Sequence, residues 1–156
     1  MRVVGMDLGS YQSGYGIVEK NGHNVFCVTF GEINLPRYKP LQKRLYIFYE
    51  KMEEIIKSYN PDEVAIEDLY LSLNVKTAFT LGQIRGVATL LAEKFGLPVF
   101  AYSPLEVKKA VVGYGLAQKE QVKAMIKRLL NLKELPTQNA ADALAVALCH
   151  LNYLRI

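Results

Sequence analysis

Residues 3–34 have the sequence VVGMDLGSYQSGYGIVEKNGHNVFCVTFGEIN and constrain the architecture more tightly than any other part of the chain. The apolar run that leads to Asp7 predicts a buried strand, followed by a turn rich in glycine and serine. Segments of strand character at 14–19 and 25–34 are separated by Asn21-Gly22, a dipeptide that favours a tight hairpin. The chain is therefore predicted to open with three consecutive antiparallel strands.

The rest of the chain alternates between helical and strand patterns. Apolar residues recur at helical spacing from Pro40 until Asn60-Pro61 ends the pattern, and short apolar stretches at 63–67 and 99–101 predict two more strands. Further helices are predicted at 76–94, 103–112 and 119–130, with a final one after Pro136. On the helix at 119–130 the face expected to be buried consists of Val122, Met125, Ile126, Leu129 and Leu130.

Composition limits the classes of function. With 156 residues, 51% of them hydrophobic and 22% charged, the chain is expected to form one soluble domain over residues 1–156. Two cysteines, Cys27 and Cys149, give no disulfide framework and are expected to be buried thiols; two histidines in no catalytic motif leave carboxylates as the expected catalytic groups. No stretch has the length and apolar character of a membrane span, so a cytoplasmic location without membrane association is expected. A net charge of +4 is compatible with a polyanionic partner.

Three carboxylates occupy positions suited to an ion site. Asp7 and Glu67 each end a predicted strand, and neighbouring strands lie about 4.8 Å apart, so the two side chains can share a cation. Asp142 lies early in the last helix, with Asn139 three residues earlier on the same helical face. A structural interpretation stays open for each: a turn cap for Asp7, a solvated strand end for Glu67, and a favourable charge at a helix start for Asp142.

Five segments in order resemble the RuvC-type Holliday-junction resolvases of the RNase H-like superfamily, and the resemblance covers nearly the whole chain. They are GMDLGSYQSGYGIV (5–18), AIEDLY (65–70), LGQIRGVA (81–88), VKKAVVGYGLAQKEQV (107–122) and NAADALAVALCH (139–150). The resemblance implies an RNase H-like α/β fold. Its five-stranded mixed sheet would have three antiparallel strands and then two parallel ones, with helices on both faces.

The resemblance also implies a chemistry. Asp7, Glu67 and Asp142 match acidic positions that hold two Mg²⁺ ions per subunit, with Mn²⁺ able to substitute, and the implied reaction is symmetric nicking of four-way DNA junctions during recombination and repair. Asn139 occupies a fourth catalytic position where the family usually has Asp or His, and an amide carries no charge and cannot accept a proton as they do. The alternatives left open are a member that tolerates Asn, a catalytically impaired junction-binding protein, or an engineered inactive variant.

The implied DNA contacts involve basic and aromatic residues. Lys108 and Lys119 match lysines near the scissile phosphate, and Tyr70 matches an aromatic residue that stacks near the centre of the junction. Helical spacing places Lys123 and Lys127 on one stripe with Lys119, a pattern that a merely solvated face would also show.

The implied partners are a second copy of the chain and the RuvA and RuvB branch-migration proteins. Gly82 and Gly86 permit close approach of another helix, and we expect this helix to lie near the homodimer interface. A remote alternative is a single-lobe nucleotide-binding protein, because Asp7-Leu8-Gly9-Ser10 resembles the phosphate loop of sugar kinases and actin-like ATPases.

Overall fold

A computed structural model describes residues 1–68 and 74–154 of the protein. The strands are β1 (Arg2–Asp7), β2 (Gln12–Asn21), β3 (Asn24–Asn34), β4 (Glu63–Glu67) and β5 (Val99–Tyr102). The helices are α1 (Leu41–Tyr59), α2 (Val75–Lys94), α3 (Pro104–Val112), α4 (Lys119–Leu129) and α5 (Gln138–Tyr153). The predicted order of elements is confirmed, with boundaries that shift by a few residues at most.

The five strands form one mixed sheet in the order β3-β2-β1-β4-β5. The first three strands pair antiparallel, and β4 runs parallel to both β1 and β5. Gly22 adopts a positive φ of 59° in the hairpin between β2 and β3, as its tight turn requires. The mixed sheet implied by the family resemblance is thus confirmed.

Helices cover both faces of the sheet, and alternate strand residues serve each face. Val4 and Met6 of β1 pack with α1 and α2, whereas Val3 packs with α3, α4 and α5. Asp7 has the same parity along β1 as Val3, so its side chain belongs to the α5 face. None of the helices in the described part of the chain is long and apolar enough to cross a bilayer.

Two packing expectations are corrected. Leu129 is 47% exposed, because α4 packs through the narrow row Val122, Ile126 and Leu130, and Leu129 falls outside that row. Cys27 is only half-buried, on a strand at the sheet edge, whereas Cys149 is buried as expected. Burial raises the pKa of the Cys27 thiol to about 11 and that of Cys149 to about 12, so both favour the neutral thiol.

Candidate active site

The register of the parallel strands brings Asp7 and Glu67 together. Met6 pairs with Ile66 in the ladder between β1 and β4, and Asp7 and Glu67 each follow by one residue. Both strands end at this edge of the sheet, and alternation turns both side chains toward α5. The sequence prediction that these two carboxylates share one edge is confirmed.

Helix α5 brings Asp142 to the same edge because two glycines let its backbone lie almost on the sheet. A Cβ atom at Gly14 would lie 2.0 Å from the Asn139 carbonyl oxygen, and one at Gly5 would lie 2.0 Å from that of Ala143. Any side chain at either position would push the helix away. Thr137 caps the start of the helix by accepting a hydrogen bond from the Ala140 N–H, and the close approach of Asn139 to Gly14 places the first turn of α5 over the start of β2.

Burial makes the ionised forms of all three carboxyls unfavourable, and repulsion from neighbouring carboxylates adds to this effect for Asp7 and Glu67. Burial raises the pKa of Asp7 to about 7, and the charges of Asp142 and Glu67 contribute to that shift. Burial, and then the charge of Asp142, also raise the pKa of Glu67. Burial raises the pKa of Asp142 although Gln138 Nε2 donates a 2.8 Å hydrogen bond to its Oδ1 atom.

A small cleft of about 170 Å³ opens beside these carboxylates. Glu67 and Asp142 line it together with Lys108, Lys119 and apolar side chains of α3, α4 and α5. Within residues 1–68 and 74–154, no three Asp, Glu, His or Cys side chains lie close enough together to enclose a metal ion as they stand. The three carboxylates therefore interact electrostatically but are spread more widely than a coordination shell.

The donor set nevertheless fits a hard divalent cation. Mg²⁺ and Mn²⁺ prefer carboxylate oxygens, and a bound cation would favour the ionised forms of the three carboxyls. Asp7, Glu67 and Asp142 are the residues that would hold it.

Lysines from two further helices act on the acidic cluster. Lys108 is fixed within α3, whose start is closed by a reciprocal Ser103–Glu106 capping box, and Lys119 is the first residue of α4. The charge of Lys119 lowers the pKa of all three carboxyls, and that of Lys108 lowers the pKa of Glu67 and Asp142. Lys123 acts on Asp142 alone, and Lys127 is not among the residues that line the cleft.

Three of the predicted site residues that the structure describes, Asp7, Lys123 and Asn139, are not among those that line the cleft. Asn139 shares the first turns of α5 with Asp142, but its Nδ2 atom donates to Gln12 Oε1 at 3.5 Å. Tyr70 falls within residues 69–73, outside the described part of the chain.

Sequence reasoning missed several residues that shape the site. Gln138 orients Asp142, Gln12 contacts Asn139, and the charge of Glu32 adds to the rise in the pKa of Asp7. Isolated glycines inside strands were an available signal, since they often mark a close backbone approach such as those at Gly5 and Gly14. No local pattern indicated the role of the two glutamines.

Known proteins are similar to this chain in sequence and in fold over nearly its full length. The family model for crossover junction endodeoxyribonuclease RuvC matches residues 3–150. The crossover junction endodeoxyribonuclease RuvC of Geobacter sulfurreducens is 47% identical over 152 residues, which are 97% of this chain and 93% of that protein.

Solved structures agree with that match. The structure of T. thermophilus RuvC in complex with Holliday junction substrate superposes with a TM-score of 0.94 at 32% identity, covering 99% of this chain and 95% of that one. The yeast mitochondrial Holliday junction resolvase Ydc2 has a TM-score of 0.72 at 16% identity, covering 98% of this chain and 78% of that one, and this likeness concerns the fold alone. The chain belongs to the RuvC family of crossover junction endodeoxyribonucleases, which are Holliday-junction resolvases.

Proposed function

We propose that this protein resolves four-way DNA junctions by symmetric nicking at a site in which Asp7, Glu67 and Asp142 hold two Mg²⁺ ions, with Mn²⁺ able to substitute. Nucleases of the RuvC family are metal-dependent. The observation that carries the assignment is the trio of partly buried carboxyls, whose pKa values are all raised by burial and, for Asp7 and Glu67, also by the charge of Asp142. Such a cluster is unfavourable alone and favourable around divalent cations.

Bound cations would supply an activated water and would neutralise the charge on the leaving 3′ oxygen. The carboxylates hold the cations, and Gln138 limits the rotation of Asp142 through its hydrogen bond to Oδ1. Lys108 and Lys119 offset the negative charge that would otherwise repel a DNA phosphate from this cleft. Lys123, one turn further along α4, extends the same basic flank, and Tyr70 would stack on an unpaired base.

A homodimer would place two such sites on one junction, as nicking of two strands of like polarity requires. Helix α2 offers a surface for it: a Cβ atom added at Gly82 or Gly86 would meet no atom within 4 Å, and Phe79 and Leu90 of the same helix are 70% and 67% exposed. We expect this single nuclease domain to act in the cytoplasm with the RuvA and RuvB proteins.

A nicking assay tests the function directly. Synthetic four-way junction, plain duplex and RNA–DNA hybrid are each incubated with the protein, with and without Mg²⁺ or Mn²⁺. Paired nicks in the junction alone, dependent on the metal, are expected. Cleavage of the hybrid without any preference for the junction would contradict the proposal.

Asn139 favours a second candidate function, that of a junction-binding protein with impaired catalysis. An amide at this position leaves the acidic cluster one charge short of a four-carboxylate set and cannot accept a proton from water. Tight junction binding with no nicking, even at high Mn²⁺, would support this candidate over the nuclease.

A further inference from the structure

A second group of basic residues lies at the active edge of the sheet, on the face opposite Lys108 and Lys119. Strand β3 ends at Asn34, which pairs with Gln12 directly after the β1–β2 turn, and α1 begins at Leu41. The connection between them and the first turn of α1 carry four cations: Arg37, Lys39, Lys43 and Arg44. Helix α1 packs on one sheet face and α3 and α4 pack on the other, so the two basic groups lie on opposite faces at the edge of the sheet where Asp7 ends β1.

This second group is organised around Tyr11, which follows Asp7 by four residues. The guanidinium carbon of Arg37 lies 4.0 Å from the centroid of the Tyr11 ring, and that of Arg44 lies 4.7 Å from it. The Tyr11 carbonyl accepts a 2.8 Å hydrogen bond from the Leu35 N–H, which ties the β1–β2 turn to the β3–α1 connection. We call Tyr11, Arg37, Tyr38, Lys39 and Lys43 the arginine–tyrosine surface.

Arg44 supports this surface from below. It is only 9% exposed, and its guanidinium donates to the Ser10 carbonyl oxygen. Its Nε atom is buried without a hydrogen-bond partner in the described part of the chain. The guanidinium therefore anchors the backbone at Ser10 and lies against the ring of Tyr11, which fixes the β1–β2 turn beside α1.

The charges of the surface are not neutralised by the protein itself. No acidic residue occurs between Glu32 and Glu50. Among the described residues, no ion pair is formed by Arg37, Lys39, Lys43 or Arg44. Further along the same helix, by contrast, Lys51 pairs with Glu54 and Lys57 pairs with Glu53. Tyr38 is 85% exposed amid these charges.

We propose that the arginine–tyrosine surface binds the sugar-phosphate backbone of a duplex DNA arm, as the second flank of the substrate path across the acidic cleft. The proposal rests on the proposed function only in taking DNA as the ligand. An acidic centre repels phosphates, and cations on one side alone would leave the duplex free to pivot on Lys108 and Lys119. Contacts from both sides fix its direction, while the unpaired guanidinium and ammonium groups match phosphate oxygens without reading sequence.

The test uses the double variant Arg37→Gln/Lys43→Gln, whose two positions are both exposed. Its affinity for a four-way junction is measured in Ca²⁺ over a range of salt concentrations. Loss of two phosphate contacts should weaken binding about tenfold at moderate salt and reduce the slope of log K against log salt by roughly 2. An unchanged melting temperature shows that the fold is intact.

The matched control is Lys51→Gln/Lys57→Gln, which removes the same amount of charge from α1 at residues that already have acidic partners. This variant should bind the junction and nick it as the parent does. Equal affinity and equal salt slope for the parent and for Arg37→Gln/Lys43→Gln would overturn the proposal, and would leave an acidic protein as the class of partner that fits the surface. A parent that neither binds nor nicks junctions would instead contradict the proposed function.

Discussion

Each end of α5 faces a glutamate of β4, but the polar groups are paired at one end and repel one another at the other. Glu63 and Glu67 lie on one face of β4, four residues or about 13 Å apart. His150 and Asp142 lie eight residues or about 12 Å apart along α5. Because the two separations are nearly equal, Glu63 can lie beside His150 while Glu67 lies near Asp142. One end pairs Glu63 with His150, whereas the other gathers Glu67, Asp142 and Asp7, none of which forms an ion pair with a basic side chain in the described part of the chain.

The His150 end is fully hydrogen-bonded. His150 is 1% exposed, its Nε2 atom bonds the Glu63 carboxylate, and its Nδ1 atom lies 2.6 Å from Tyr102 Oη. Burial raises the pKa of Tyr102 to about 12, so its hydroxyl keeps its proton and can donate to a ring nitrogen. The Phe100 ring packs on the imidazole with centroids 4.4 Å apart.

The difference separates residues that stabilise the fold from residues held ready for a ligand. The buried polar groups at the His150 end satisfy one another, so removing one should cost stability. The carboxylates at the Asp142 end repel one another, so removing one should cost activity and leave the metal-free fold as stable or more stable.

Asp7→Asn should reduce metal-dependent junction nicking by at least about 10³-fold, because several kcal/mol of transition-state stabilisation depend on the bound cations. Junction affinity in Ca²⁺ should stay within a few-fold, since it depends mainly on phosphate contacts. Single-turnover nicking and equilibrium binding measure the two effects. Nicking near the parent rate would remove Asp7 from the site.

His150→Ala should destabilise the fold by about 2–3 kcal/mol, because it leaves Glu63 and Tyr102 without their partner. Urea denaturation measures the loss, and the nicking rate of the folded fraction should not change. His150→Gln, which can bond one of the two partners, should recover part of the stability. If His150→Ala instead abolished nicking while stability was retained, the assigned roles of the two ends would be wrong.

Asn139→Asp should raise the Mg²⁺-dependent single-turnover rate by at least about tenfold, because it adds a fourth carboxylate that can also accept a proton. Asn139→Ser, which adds no charge, serves as the control. Equal rates for the parent and Asn139→Asp at saturating Mg²⁺ would show that the fourth position is dispensable in this protein.

The smallest effect is a pH dependence of the metal-free protein. The pKa of Asp7 is raised from 3.8 to about 7 on folding, so the folded state binds a proton more tightly than the unfolded state. The contribution of this group to stability should therefore be greatest below pH 4, decline as the pH rises, and be lost above pH 7. Denaturation in EDTA at pH 5 and pH 8 measures the decline, which Asp7→Asn should reduce. An identical decline in that variant would assign the effect to other groups.

Local sequence signals were sufficient for the strands and for two of the three carboxylates. The apolar runs ending at Asp7 and Glu67 fixed both the strand ends and the sheet edge that they share. The depth at which α5 sits, which brings Asp142 to them, depends on the backbone contacts of Gly5 and Gly14 and was not predicted. The exposed position of Leu129 was mispredicted because helical periodicity gives the direction of the buried face but not its width.

The polar partners outside the acidic site were not predictable from local pattern. His150 and Glu63 are 87 residues apart in the sequence, and Arg44 and Ser10 are 34 apart. Such pairs form only when the sheet order and the helix packing are both fixed, and no spacing rule encodes either. The sequence therefore indicated the side chains that lie at the ends of strands, but not the side chains that connect one element to another.

The central claim is that the Asp142 end of α5 is a cation site and the His150 end is not. Titration calorimetry with Mn²⁺ in the absence of DNA tests it most directly, using the parent, Glu67→Gln and Glu63→Gln, which remove one carboxylate from each end of β4. The parent and Glu63→Gln should bind Mn²⁺ alike, while Glu67→Gln should lose most of the binding. Equal binding by Glu67→Gln and the parent, or loss of binding in a folded Glu63→Gln, would contradict the account.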